Sequence, residues 1–202
     1  MGRGSSLSSR LSLSQRIYKL NYMNKDYKKE VEKIFRESNS SNELFDAFHF
    51  ALSKKISDLE SYKILLANPA LSKDEIKMFT EKLSSLHTDK AFDIYSWSAG
   101  VLENKTTDYT FIEDAVNYYI KAAHTDPAKH EPLVRLTRLF NYEINFPTNT
   151  TILNFINDGV ASVKEKRKVY NALADVYKKL GNETIMKRYK ELAAKSARNE
   201  NQ

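Results

Sequence analysis

The chain has 202 residues, of which 41% are hydrophobic, with five glycines, four prolines and no cysteine. A disulfide framework, an iron–sulfur cluster and a thiolate zinc site are therefore excluded, and no apolar run reaches the ~18 residues of a membrane-spanning helix. The net charge of +6 sits at the ends: residues 1–25 hold five basic side chains and no acid, residues 163–202 hold eleven basic and five acidic, and the body between is net −5, which excludes a uniformly basic nucleic-acid-binding surface.

Residues 1–25 are Ser-rich and contain Arg3, Arg10, Arg16, Lys19 and Lys25, the composition of a mitochondrial transit peptide. Leu7, Leu11 and Tyr18 share one helical stripe, and Arg16-Ile17-Tyr18 resembles a site cut by the matrix processing peptidase. The expected location is the mitochondrial matrix. Two other readings stand beside it. One is a disordered basic tail on a cytoplasmic protein. The other is myristoylation of Gly2, where Ser6 fits the pattern and Arg3 fits it poorly.

From residue 26 the pattern is helical. Tyr27, Val31, Ile34 and Phe35 predict a first short helix, stopped by the polar run Ser38 to Ser41. Leu44, Phe45, Phe48, Leu52 and Ile56 recur at spacings of three and four, and Leu59, Tyr62, Leu65 and Leu66 continue to Pro69. Ser72-Lys73-Asp74-Glu75 spells a capping box flanked by Leu71 and Ile76, so a helix starts there, with Ile76, Phe79, Leu83 and Leu86 on its core face. Residues 26–88 form an N-terminal helical segment.

The next helix is predicted from about Lys90 to Leu102, with Trp97 expected to pack in the core and a partner anchor as its alternative role. A second capping box, Thr110 to Glu113, opens a helix carrying Ala115, Tyr119 and Ala122 that ends before Pro127. Pro132 opens another through Leu133, Leu136, Leu139 and Phe140, which Pro147 and the Thr/Asn cluster break. Ile152, Phe155, Ile156 and Val160 mark one more. Two short helices joined at Gly181 close the chain, through Tyr170, Leu173 and Tyr177 and then Ile185, Tyr189 and Leu192. The fold class expected is all-α, an α-solenoid of stacked antiparallel helix pairs with about nine or ten helices, with an unrelated helical bundle as the alternative.

Tyr170, Leu173-Ala174, Tyr177 and Gly181 match the first half of the tetratricopeptide repeat unit in register, and Ala193 matches its last helix-B alanine. Ala115, Tyr119, Ala122 and Pro127 match helix B of an earlier unit. Residues 89–198 thus resemble that family. Met186 and Tyr189 depart from the pattern, standing where a small residue and the next position's aromatic are expected. The terminal hairpin also resembles the pentatricopeptide repeat family, whose units read single-stranded RNA one base at a time. The first resemblance implies a non-enzymatic scaffold with protein partners in a larger complex, and by its register a partner-binding face of Lys168, Asn171, Asp175 and Lys178. The second implies RNA as the alternative partner, with Asn171 in the base-reading place.

Four histidines, His49, His87, His124 and His130, show no metal-motif spacing, and no Gly-rich phosphate loop or nucleophile elbow is present. No cofactor or metal is expected. Asp93, Glu113, Asp114 and Asp175 read as solvated helix faces and caps. The expected function is a mitochondrial assembly factor or peripheral subunit rather than an enzyme.

Overall fold

The computed structural model describes residues 26–105, 109–142 and 147–200. The proposed transit peptide, residues 1–25, lies outside the described residues. Those described form ten α-helices and two short 3₁₀ turns, with no strand among them. They divide into two compact units, one ending at Leu71 and the other beginning at Ser72.

The first unit contains α1 (Tyr27–Glu37), α2 (Ser41–Ser53) and α3 (Leu59–Leu66). Asp26 and Ser40 cap α1 and α2 with their side chains, so Ser40 starts a helix where the sequence pattern placed only a stop. Val31, Ile34 and Phe35 of α1 meet Leu44, Ala47 and Phe48 of α2 and Tyr62, Leu65 and Leu66 of α3 in one core. Tyr62 is wholly buried; its ring lies 6.3 Å from Phe35 and 5.9 Å from Phe48, and its hydroxyl donates to the Ile56 carbonyl at 2.6 Å. A polar seam closes α1 on α3: Ser61 Oγ donates to Glu32 at 2.7 Å, and Lys28 Nζ lies 2.9 Å from Asp58. Buried Asn68 donates to the Phe35 and Ser38 carbonyls at 2.8 and 3.0 Å, satisfying the last turn of α1 from across the unit.

The apolar spacing from Leu44 to Ile56 reads as one helix, but α2 stops at Ser53. Lys55 takes a left-handed conformation (φ 55°). Its N–H donates to the Leu52 carbonyl and that of Ile56 to the Ala51 carbonyl, both at 3.0 Å. These two bonds form a Schellman ending built on lysine instead of glycine. A side chain in that conformation costs roughly 1 kcal/mol. Lys55→Gly is accordingly expected to raise the stability of this unit by about 1 kcal/mol in a urea titration, and a decrease would contradict the assignment of Lys55 to this cap.

The second unit contains α4 (Lys73–Leu86), α5 (Ala91–Asn104), α6 (Tyr109–Thr125), α7 (Glu131–Arg138), α8 (Pro147–Gly159), α9 (Lys166–Lys179) and α10 (Glu183–Glu200). The capping box at α4 forms as read: Ser72 Oγ accepts from the Glu75 N–H at 3.3 Å, and Glu75 accepts from the Ser72 N–H at 2.8 Å. Thr110 does not cap α6, because the chain is already helical at Tyr109. Pro147 begins α8 instead of only ending α7; the first helical position needs no N–H donor. The Thr/Asn cluster after it is the first turn of that helix. Asn149 clasps the end of the preceding segment, its Nδ2 donating to the Asn141 carbonyl at 2.7 Å and its Oδ1 accepting from the Asn141 N–H at 2.9 Å.

Helices α5 with α6, and α9 with α10, make the most extensive contacts among the described helices. Between these hairpins α6 touches α7 and α8, and α7 touches α8 and α9, while α4 packs on α5. Such packing between chain neighbours fits a helical repeat. Small residues set the close approaches. A Cβ built on Gly159 would stand 3.4 Å from Leu133, and Ala115, Ala122, Ala174 and Ala193 are buried.

Trp97 is not a core residue; it is 40% exposed. Helix α5 buries Ala91, Ile94, Ser98, Ala99 and Leu102, and the indole projects about a third of a turn from the centre of that arc. Small Ser98 takes the inward position, where it shares a 2.7 Å hydrogen bond with Thr80 of α4. Asp114 is likewise not a solvated carboxylate. Its side chain is 14% exposed and pairs with Lys77 at 3.0 Å and Lys73 at 3.6 Å, so it joins α6 to α4.

Candidate functional site

Helix α9 presents the four residues of the expected partner-binding face. Its apolar positions Val169, Leu173, Ala174 and Val176 turn inward and fix the opposite side toward solvent. Lys168, Asn171, Asp175 and Lys178 follow at steps of three, four and three residues, so they lie along one stripe of the helix. Lys168, Asp175 and Lys178 are exposed, and Asn171 is half-buried.

Three of the four are already engaged. Lys168 Nζ lies 2.6 Å from Glu165 Oε2, and this ammonium is the main reason that the Glu165 carboxyl is held below its ordinary range. Lys190 reaches across from α10: its Nζ donates to Asn171 Oδ1 at 3.3 Å and lies 3.7 Å from Asp175 Oδ1. Asn171 and Asp175 are thus drawn together by a lysine that helix-A register cannot reveal, since it sits fifteen or more residues downstream on the other helix. The Asn171 carbonyl oxygen, an acceptor that base reading would use, already takes one bond from Lys190.

Around the stripe lie aromatic rings that sequence periodicity assigned only to packing. Tyr189 of α10 stacks between Tyr177 (5.5 Å) and Tyr170 (6.2 Å) of α9, and its hydroxyl donates to Asn157 of α8 at 2.8 Å. Burial, and then the neighbouring Tyr177, push the Tyr189 phenol above its usual range. On the other flank Lys179 Nζ stands 5.0 Å from the Tyr142 ring centroid. Burial and the Asp175 charge both raise the Tyr142 phenol, which places that phenol within the field of the stripe.

The turn that closes this hairpin is fixed by Gly181 (φ 71°). Its N–H donates to the Lys178 carbonyl at 3.1 Å and that of Asn182 to Tyr177 at 2.9 Å, and the Asn182 side chain then accepts from the Ile185 N–H at 3.1 Å to start α10. The site therefore rests on a braced pair of helices rather than on a loop.

His124 and His130, which flank Asp126 in the chain, do not converge. His124 packs edge-on against Phe155 at 5.3 Å, beside a cleft of about 220 Å³ that Lys129, Leu133 and Asp158 also line. His130 Nδ1 instead lies 3.4 Å from Glu165 at the start of α9. No group of three His, Asp or Glu side chains suited to a metal ion occurs among the described residues. What the α9 stripe offers chemically is a row of mixed charges and an amide on a rigid support, suited to holding a polar or charged surface. No family model, curated protein or solved structure matches this chain.

Proposed function

We propose that this protein is a non-enzymatic helical-repeat scaffold of tetratricopeptide-like type, an α-solenoid in its second unit, that docks a protein partner on α9. The carrying observation is the packing order: two tight hairpins, α5–α6 and α9–α10, linked through α7 and α8, each helix touching near neighbours in the chain. The stripe of Lys168, Asn171, Asp175 and Lys178 is the docking face, with Lys190 holding its middle. We further propose mitochondrial residence, directed by residues 1–25, and a role as an assembly factor or peripheral subunit of a larger complex.

The test is crosslinking in intact organelles with identification of the captured protein, comparing the native chain with Asp175→Lys/Lys178→Glu. Both positions are exposed, so the fold should tolerate the exchange. Recovery of the partner is expected to fall at least about tenfold, the effect of roughly 1.4 kcal/mol of lost contact. Unchanged recovery would remove the face. Fractionation of the chain outside mitochondria would remove the location, and loss of the association on nuclease treatment would put RNA in place of protein.

A further inference from the structure

Helix α10 carries a second surface, on the side turned away from α9. Ile185, Tyr189, Leu192 and Ala193 occupy its inward arc. On the outward arc Thr184, Lys187, Arg188, Glu191, Ala194, Lys195 and Arg198 are all exposed. At ~100° per residue these seven positions fall within roughly 120°, and Lys187 to Arg198 spans about 16 Å of helix axis. Four cations stand on this ridge against Glu191 and the flanking Glu183. Lys187 is 3.7 Å from Glu183, whereas no carboxylate lies within ion-pair distance of Arg188, Lys195 or Arg198 among the described residues.

We infer that this ridge adsorbs to the headgroups of an anionic lipid bilayer, independently of the α9 face. The ridge bears no apolar side chain larger than Ala194, so it has nothing to insert among acyl chains; the contact is one of charge at the surface. Aromatic stacking with single-stranded RNA is disfavoured, because Tyr170, Tyr177 and Tyr189 stack on one another on the α9 side of the helix. Where the α9 stripe mixes charges of both signs, the ridge sets four cations against Glu191, so what it complements is a surface of one sign. A row of cations along one side of a helix meets a planar sheet of negative charge along its whole length.

Each cation near an anionic surface strengthens partition about fivefold. The full chain should therefore cosediment with phosphatidylcholine vesicles containing about 30 mol % phosphatidylserine and leave pure phosphatidylcholine vesicles in the supernatant. Raising salt from about 0.1 to 1 M, which shortens the Debye length from about 10 to 3 Å, should release it. Arg188→Gln/Lys195→Gln/Arg198→Gln should lower partition on the order of a hundredfold. Glu191→Gln should raise it about fivefold, a gain that a purely structural role would not produce. Circular dichroism of each variant should match the native chain, since every substituted side chain is exposed. The inference is overturned by equal binding to both vesicle types, by unchanged partition of the triple variant, or by salt-sensitive binding of single- or double-stranded RNA that follows the same variants while vesicles do not bind. Asp175→Lys/Lys178→Glu should leave vesicle binding intact, so failure of the α9 docking reading and failure of this one register separately.

Discussion

Tyr62→Ala is expected to destabilise the unit ending at Leu71 by about 4 kcal/mol, the order found when a buried aromatic is cut back to a methyl group. The ring fills the junction of three helices between Phe35 and Phe48, and no solvent reaches it. Three short helices cannot close over such a void, because helices of this length draw most of their stability from packing. Urea unfolding followed by circular dichroism, with hydrogen exchange over 27–66, measures the loss; a cost under about 1.5 kcal/mol would show that the three helices do not share this core. Tyr62→Phe isolates the hydroxyl. It keeps the ring and leaves the Ile56 carbonyl without its donor, at a cost of about 1 kcal/mol. Burial pushes the Tyr62 phenol up to about 12 from its usual 10.0. Below pH ~10 both the folded and unfolded chains keep this proton, and Tyr62 adds no pH dependence. Between the two values the unfolded chain gives it up first, so stability falls as pH rises, by about 1.4 kcal/mol per pH unit for this group. Tyr62→Phe should remove that share of the alkaline slope.

Leu136→Ala tests the second unit, with an expected loss of about 3 kcal/mol. Leu136 is fully buried in α7, the short helix that touches α6, α8 and α9. In a stacked repeat, stability is a sum of local units and of their nearest-neighbour interfaces. The variant should therefore expose α7 and α8 to hydrogen exchange first, while the α5–α6 and α9–α10 hairpins keep more of their protection. Uniform loss of protection from 73 to 198 would instead describe one cooperative bundle and remove the solenoid proposal.

Much of the architecture was legible because its signals are local. The Ser72–Glu75 capping box and the Gly181 stop act within a few residues, and both form as read. The boundary at Lys55 was not legible, since the left-handed ending there uses lysine, a residue with no propensity for it. Trp97 was misplaced for another reason. Hydrophobicity says that a side chain can be buried, whereas the helix's rotation decides which ones are, and small Ser98 and Ala99 set that rotation in α5. Asp114 looked solvated because its partners, Lys73 and Lys77, lie some forty residues earlier. The stripe on α9 came from the register of the tetratricopeptide resemblance, and its four positions share one side of the helix. Its link to Lys190 was not legible, because hairpin register across a turn fixes which side chains face one another only once the turn geometry is known.

The clasp between Asn149 and Asn141 has a consequence for covalent modification. Asn149-Thr150-Thr151 spells an acceptor for an N-linked glycan, and the sugar would be joined to the amide nitrogen. That nitrogen already donates to the Asn141 carbonyl, while the oxygen beside it accepts from the Asn141 N–H. A sugar on that nitrogen would replace one of its two hydrogens, so the glycosylated residue keeps the folded clasp only if the hydrogen left is the one aimed at the Asn141 carbonyl.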